Sequence, residues 1–250
     1  MLIEKPIEKI SDLSILVDEK FKDDKNSTFL YRGHGADSFV LKPKVGRHDP
    51  PENSNSKKVN EKLMLELFRR RSVDRLPTAY EDDWELLAIA QHYGLATRLL
   101  DWTRSPLIAL YFAVCFQYET RSNNPDDEGR PLCEDAEIIA WRCPKIDLTK
   151  FPPKVGPFEI KKVIRYVPRI VTPRLRAQQG LFSVHPNPRK EFKPEDFRLK
   201  VGKFFRIKIP YEKRKNLKDS LYRHGIHEEV LFPDIGGLAR HIQWCQTKSY

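Results

Sequence analysis

The chain has 250 residues, a length that suits one domain of generous size, and at 40% hydrophobic and 11% aromatic it carries enough apolar material for a sizeable core, which excludes a disordered tail. The formal charge of +10 is lopsided: residues 1–150 hold 23 Lys and Arg against 26 Asp and Glu, whereas residues 151–250 hold 22 against 9. That asymmetry reads either as a solvated surface or as an electrostatic footprint for a polyanion, with no Gly/Arg-rich tail and no DNA-reading motif beside it.

The N-terminal stretch MLIEKPIEKISDL mixes charges with isolated apolar residues and lacks the apolar centre of a secretory signal. No apolar run reaches the roughly 18–20 residues needed to cross a bilayer, so a cytoplasmic protein is expected. Residues 8–22 space Ile10, Leu13, Leu16 and Phe21 at helical intervals, within an N-terminal helical segment over 1–24. The stretch TFLYR then reads as a strand ending in Arg32-Gly33-His34-Gly35. After a polar loop with Pro43, Pro50 and Pro51, KVNEKLMLELFRRR predicts a helix. A second helix, EDDWELLAIAQHY, opens with acids and stops before Gly94. Ser105 and Pro106 supply the cap and first position of a nearly all-apolar helix, LIALYFAVCFQY, which must be buried on most sides.

Residues 120–135 are polar and predict a mobile loop, and EIIAWRC a strand, with KKVIRYVPRIVT offering another segment. KFFRIKI alternates as a half-buried strand, and residues 211–224 form a helix ending at Gly225. EEVLF reads as a short strand stopped by Pro233, and Asp234 caps a last helix, GGLARHIQWC. Strands and helices mix without regular alternation, so the expected class is α+β: mixed or antiparallel central sheets flanked by helices, in a single domain over 1–250 with its core at about 25–243. Cys115, Cys133, Cys143 and Cys245 form no C-x-x-C pair and are expected to be reduced. None of the seven histidines pairs with a cysteine or carboxylate at recognisable ligand spacing, so no metal is expected.

Four stretches could carry chemistry. Arg32 offers a guanidinium able to grip phosphate or carboxylate, with Gly33 and Gly35 permitting close approach of a ligand; its plain alternative is an ion pair at a strand end. QHYGLATRLLDWTRSP crowds His92, Tyr93, Thr97, Arg98, Asp101, Trp102, Thr103, Arg104 and Ser105 between two apolar helices. These are either a buried network, with Arg98 pairing Asp101, or a pocket wall. AQQGLFSVHPNP places Gln178 and Gln179 before Gly180. In HGIHEEVLFPD, Glu228 and Glu229 on a strand would point to opposite faces, one of them inward.

Together these stretches resemble the FRG domain, a prokaryotic family named for a Phe-Arg-Gly tripeptide, here Tyr31-Arg32-Gly33. The order of motifs is similar to that of ADP-ribosyltransferases. The resemblance implies Arg32 in the role of the first-strand arginine, Asp101-Trp102-Thr103 to Ser105 in that of the middle segment, and Glu228, preferred over Glu229, as the late catalytic glutamate. It further implies NAD as substrate, without a metal. Arg32, Gly33, Tyr93, Thr97, Arg98, Asp101, Trp102, Thr103, Ser105 and Gln179 would bind it, with Tyr93 or Trp102 stacking on the nicotinamide. Implied partners are a nucleic acid acceptor, RNA rather than DNA, or a protein, together with an antitoxin in a toxin or antiphage-defence setting. The alternatives are a non-catalytic nucleic-acid-binding module and an NAD glycohydrolase using the same pocket. The enzymatic reading requires Arg32 and Glu228 to face one cleft.

Overall fold

The computed structural model describes residues 2–48, 59–76, 80, 82–115, 134–145, 154–169, 172–193 and 203–247. Within them a seven-stranded sheet runs, edge to edge, β1 (Leu2–Glu4), β7 (Lys203–Ile209), β4 (Ala136–Pro144), β2 (Ser27–His34), β3 (Leu99–Thr103), β6 (Gly180–Val184) and β5 (Ile164–Tyr166). β1 lies parallel to β7, with Leu2 opposite Phe205, and the other pairings are antiparallel. The α+β class is as expected, with the strands joined in one sheet. The N-terminal segment adds an edge strand to its expected helix, α1 (Ile10–Lys20).

The remaining helices are α2 (Lys44–Arg47), α3 (Glu61–Arg71), α4 (Asp83–His92), α5 (Pro106–Val114), α6 (Pro173–Ala177), α7 (Arg214–Arg223), α8 (Glu228–Leu231) and α9 (Ile235–Thr247). Their ends follow the expected chemistry. Asp82 accepts from Glu85 N at 2.9 Å to start α4, and Gly94 beyond its end has φ +93°. Asp234 accepts from Gly237 N at 2.8 Å to start α9. Most of the loop expected at 120–135 lies outside the described residues. Among those described, no helix is long and apolar enough to cross a membrane.

Both faces of the sheet are covered. On one, α1, α5 and α7 pack over Phe29, Tyr31, Ile138 and Ile207, and α3 and α4 pack over Leu99, Phe182 and Val184. On the other, Leu30, Trp102, Trp141, Phe192 and Phe204 form a second core. KFFRIKI is therefore buried more fully than its half-buried expectation: Phe204 meets Phe192 edge to face, centroids 5.0 Å apart, on the face it shares with Arg206 and Lys208.

α5 is the element that seats the site. Ser105 Oγ accepts from Ile108 N at 3.3 Å and Pro106 occupies the first position, as expected. A nine-residue helix is marginal alone, so its stability comes from packing. Directly beneath it runs Gly33, whose missing Cβ would sit 2.1 Å from Ala109 O and 2.5 Å from Ala113 N. Gly33 therefore serves the approach of a helix to a strand and not that of a ligand, which corrects its expected binding role. Gly33→Ala is expected to destabilise the fold by about 2–3 kcal/mol or more, because backbone on both sides would have to move. Chemical denaturation should show a lower midpoint at unchanged m-value.

Candidate functional site

β2 and β3 pair at one position, Tyr31 opposite Thr103, and then part. Along β2, Tyr31 and Gly33 face α5, whereas Leu30, Arg32 and His34 alternate to the other side. The Arg32 guanidinium ends in the split, where NH1 donates to the Asp101 carbonyl at 2.7 Å and lies 3.8 Å from the Asp101 carboxylate. Its Nε donates to His34 Nε2 at 3.2 Å. His34 Nδ1, on the opposite ring edge, lies 3.3 Å from Glu137 Oε1, and Glu137 is in turn gripped by Arg206. An imidazole that accepts at Nε2 is neutral and donates from Nδ1, so this chain of bonds fixes the tautomer. Burial depresses the His34 pKa, Arg32 and Arg206 reinforce the shift, and Glu137 opposes it.

Asp101 carries the site to the α4–α5 side of the sheet. Its side chain is 65% exposed and accepts from Gln91 Nε2 at 2.9 Å. Arg174 on α6 lies in the field of Asp101, Asp234, Glu228 and Arg240; burial is the main influence and lowers its pKa. The Arg174 guanidinium stacks 4.4 Å from the Phe232 ring, and Arg240 stacks on the same ring at 5.4 Å. Phe232 also meets Phe112 of α5, with centroids 6.1 Å apart.

Glu228 is the first residue of α8, a helical turn where a strand was expected. The extended His227 precedes it, and two acids in the first turn suit the partial positive charge of a helix start. The two carboxylates consequently do not alternate across a strand. Glu228 accepts from the Tyr111 hydroxyl and, at 2.6 Å, from Arg240 Nε. Glu229 is turned toward His241 on α9. Burial, aided by Cys115 and Glu228, raises the Tyr111 pKa, so the phenol remains a donor. Glu228 borders a cavity of about 330 Å³ lined also by Lys218, Tyr222, Ile226 and Trp244. Burial lowers the Lys218 pKa, while Cys115 and Glu228 act against it. The Cys115 thiol is pushed up to about 12 by burial. Cys115, Cys143 and Cys245 are free thiols, as expected, and Cys133 lies outside the described residues.

The structure gathers some predicted residues and disperses others. Arg32 and Glu228 do not touch and do not share a cleft: Arg32 leaves β2 on the side away from α5, whereas Glu228 rests on α5 beside a cavity that Arg32 does not line, so the expected Arg32–Glu228 pocket is not formed. Asp101 and Arg174 stand between them. Arg98 pairs with Glu61, Nε to Oε2 at 2.9 Å, and not with Asp101; burial and the Phe158 ring at 4.6 Å make it part of the α3 packing. Trp102 is 2% exposed and donates to Ser183 Oγ at 2.9 Å, so its ring is core and cannot stack on a ligand. Thr97 is buried and bonds Gln91. Thr103 bonds the Gln178 carbonyl at 2.8 Å, and Ser105 caps α5. Tyr93 is exposed on an apolar groove with Met64, Leu67 and Leu95, apart from the Glu228 cavity. Gln179 takes φ +47° in the turn into β6, where its carbonyl accepts from Arg104 N at 3.2 Å. The residues missed by sequence reasoning are His34, Glu137, Arg206, Tyr111, Arg174 and Arg240. Of these, His34 lies in the Arg32-Gly33-His34-Gly35 stretch, while Tyr111 and Arg240 lie in segments read only as helices.

The comparisons with known proteins agree with the resemblance to the FRG domain family. Residues 27–122 match the FRG domain family. The matched segment spans β2 to α5 and holds Arg32, Asp101 and Tyr111. No curated protein and no solved structure matches the chain.

His34 gives a pH dependence with a definite sign. Its folded pKa lies below its ordinary 6.5, so the unfolded chain binds the proton first. The stability it contributes is complete above 6.5 and is lost as pH falls from there toward the folded pKa. His92 and His227 shift in the same direction. Urea unfolding from about pH 7.5 to about pH 5 should show His34 lowering stability by up to about 1.4 kcal/mol per pH unit, with a shallower slope in His34→Gln.

Proposed function

We propose that the protein is an NAD-dependent ADP-ribosyltransferase centred on Glu228, with a nucleic acid, RNA before DNA, as acceptor. The observation that carries this reading is the setting of Glu228: a carboxylate held by Tyr111 and Arg240, on the edge of a cavity and in the field of Arg174. Cleavage of the nicotinamide–ribose bond develops positive charge on the sugar, as glycosidic cleavage does, and a fixed carboxylate opposes that charge. The same carboxylate can accept from a ribose hydroxyl.

The cavity suits the nicotinamide–ribose end of the dinucleotide better than the whole molecule. Tyr222 and Trp244 supply aromatic surface, with centroids 5.2 Å apart. Arg174 and Arg240, side by side on Phe232, suit the pyrophosphate by charge and by their planar donors. Because Arg32 does not line the Glu228 cavity, the proposal rests on Glu228 with no direct part for Arg32 at the substrate, and Arg32 acts as a positioning residue. It holds the β2–β3 split through the Asp101 carbonyl, and Asp101 in turn influences Arg174. The excess of 22 basic over 9 acidic residues in 151–250 favours a polyanionic acceptor. A toxin or defence role with a neutralising antitoxin belongs to the same proposal.

The test incubates the purified chain with NAD labelled on its adenylate portion and separate pools of RNA, DNA and protein. Label should enter the RNA pool, and Glu228→Gln should reduce transfer by at least about a hundredfold while the far-ultraviolet dichroism stays unchanged. Nicotinamide release without label transfer would make the protein an NAD glycohydrolase. Full activity in Glu228→Gln would remove the carboxylate from the mechanism. Salt-sensitive RNA binding without consumption of NAD would establish the binding-module alternative.

Arg32→Lys separates positioning from direct binding. As a positioning residue it should lower kcat/KM about tenfold and leave the pH profile displaced, because the donor to His34 Nε2 is lost. An unaltered profile with a raised KM alone would place Arg32 on the substrate.

A further inference from the structure

Beside Glu228, His227, Glu229 and His241 converge, and the two histidines line the same cavity as Glu228. One ligand atom from each lies within 4.8 Å of the other two. His241 Nε2 is 3.7 Å from Glu229 Oε2, and the two imidazole rings stack with centroids 4.2 Å apart at 20°. His227 Nδ1 is buried without a hydrogen-bond partner among the described residues. A buried ring nitrogen left unsatisfied is costly, and a metal ion at that nitrogen would satisfy it. Cys245 Sγ lies 3.6 Å from His241 Nε2; it follows His241 by one helical turn on α9, on the same face.

We propose that His227, Glu229 and His241 bind a divalent transition-metal ion, zinc by the donor set, with Cys245 as the fourth ligand. Two imidazoles, a carboxylate and a thiol are the ligands from which tetrahedral zinc sites are built, whereas magnesium and calcium favour all-oxygen shells. Tetrahedral ligands at about 2.0–2.3 Å from zinc stand about 3.3–3.8 Å from one another, so His227, Glu229 and His241 have to draw in by about 1–1.5 Å, and Cys245, which lies near His241 but outside the 4.8 Å group, has to move in further. Glu229 is 49% exposed and free to make that movement. The ion would clip α8 to α9, and Glu228 stands in sequence between two of its ligands. Its role is to fix the backbone that presents Glu228, with no part in bond cleavage.

The experiment uses the full chain without an affinity tag, stripped with a chelator and free of NAD, so its outcome is independent of the proposed transferase activity. Zinc is titrated by calorimetry and cobalt by visible absorption. The expected result is one ion per chain, tetrahedral cobalt bands and a raised melting temperature on zinc addition. Glu229→Gln should weaken binding by more than the roughly 10- to 100-fold typical of losing an outer partner, and His227→Ala and His241→Ala should remove it. The half-exposed position of Glu229 keeps that variant informative where a histidine variant fails to fold. Absence of stoichiometric uptake, octahedral cobalt bands, or wild-type affinity in Glu229→Gln would each overturn the site.

Discussion

The approach of α5 to β2 is the constraint on which the rest of the molecule depends. It exists because position 33 has no side chain: Ala109 and Ala113 occupy the space a Cβ would need. Once α5 lies there, Tyr111 projects to meet Glu228 and Phe112 to meet Phe232. On the opposite face of the same strand, Arg32 and His34 turn into the polar chain that ends on Arg206. A single glycine between two polar residues thus divides β2 into a packing face and a polar face. Arg32 and Gly33 belong together in sequence because they solve opposite problems at adjacent positions.

The two halves of the site differ in character. Behind Arg32, His34 and Glu137 are buried and satisfied by their neighbours, which in a low-dielectric setting makes that end of the arrangement stiff. His34 and Glu137 are 5% and 0% exposed, and each is bonded on both sides. Around Glu228 the groups line an open cavity; Arg240 of α9 lines it and bonds Glu228, and Arg174 of α6 lies in the field of Glu228. A stiff half that sets the strand split and an open half that meets a ligand form a reasonable division of labour for a site that must hold its shape before substrate arrives.

Much of the fold was legible in the sequence where local chemistry decides. Ser105-Pro106, Asp82 and Asp234 mark helix starts by hydrogen bonds they make to their own chain, and such signals survive any tertiary context. EEVLF was misread because its residues fit a strand and a helical turn equally; two glutamates at a helix start and the packing of Phe232 decided the matter. KFFRIKI hid its second buried face because Phe204 alone signals it, between charged neighbours. The site was legible as motifs but not as geometry. Arg98 and Asp101 are three residues apart and of opposite charge, yet Glu61 arrives from α3 to take the arginine. Arg174, Glu137 and Arg206 carry no local mark at all, since their importance comes only from strand order and helix placement.

Strand order also separates two boundaries that are easily equated. β2 is flanked by β3, inside the matched segment 27–122, and by β4, outside it; β4 pairs along the whole length of β2, from Ser27–Pro144 to His34–Glu137. β3 takes its longer partner, β6, from beyond the segment as well. Cut out alone, residues 27–122 would present the backbone of a central strand as a raw edge, with α5 resting on half a sheet. The family segment is a recognisable module of sequence, but it is not a module of folding. Its strands become a sheet only when distant chain closes on them, 103 to 117 residues away for β2 with β4 and 77 to 85 for β3 with β6, which gives the fold a high contact order.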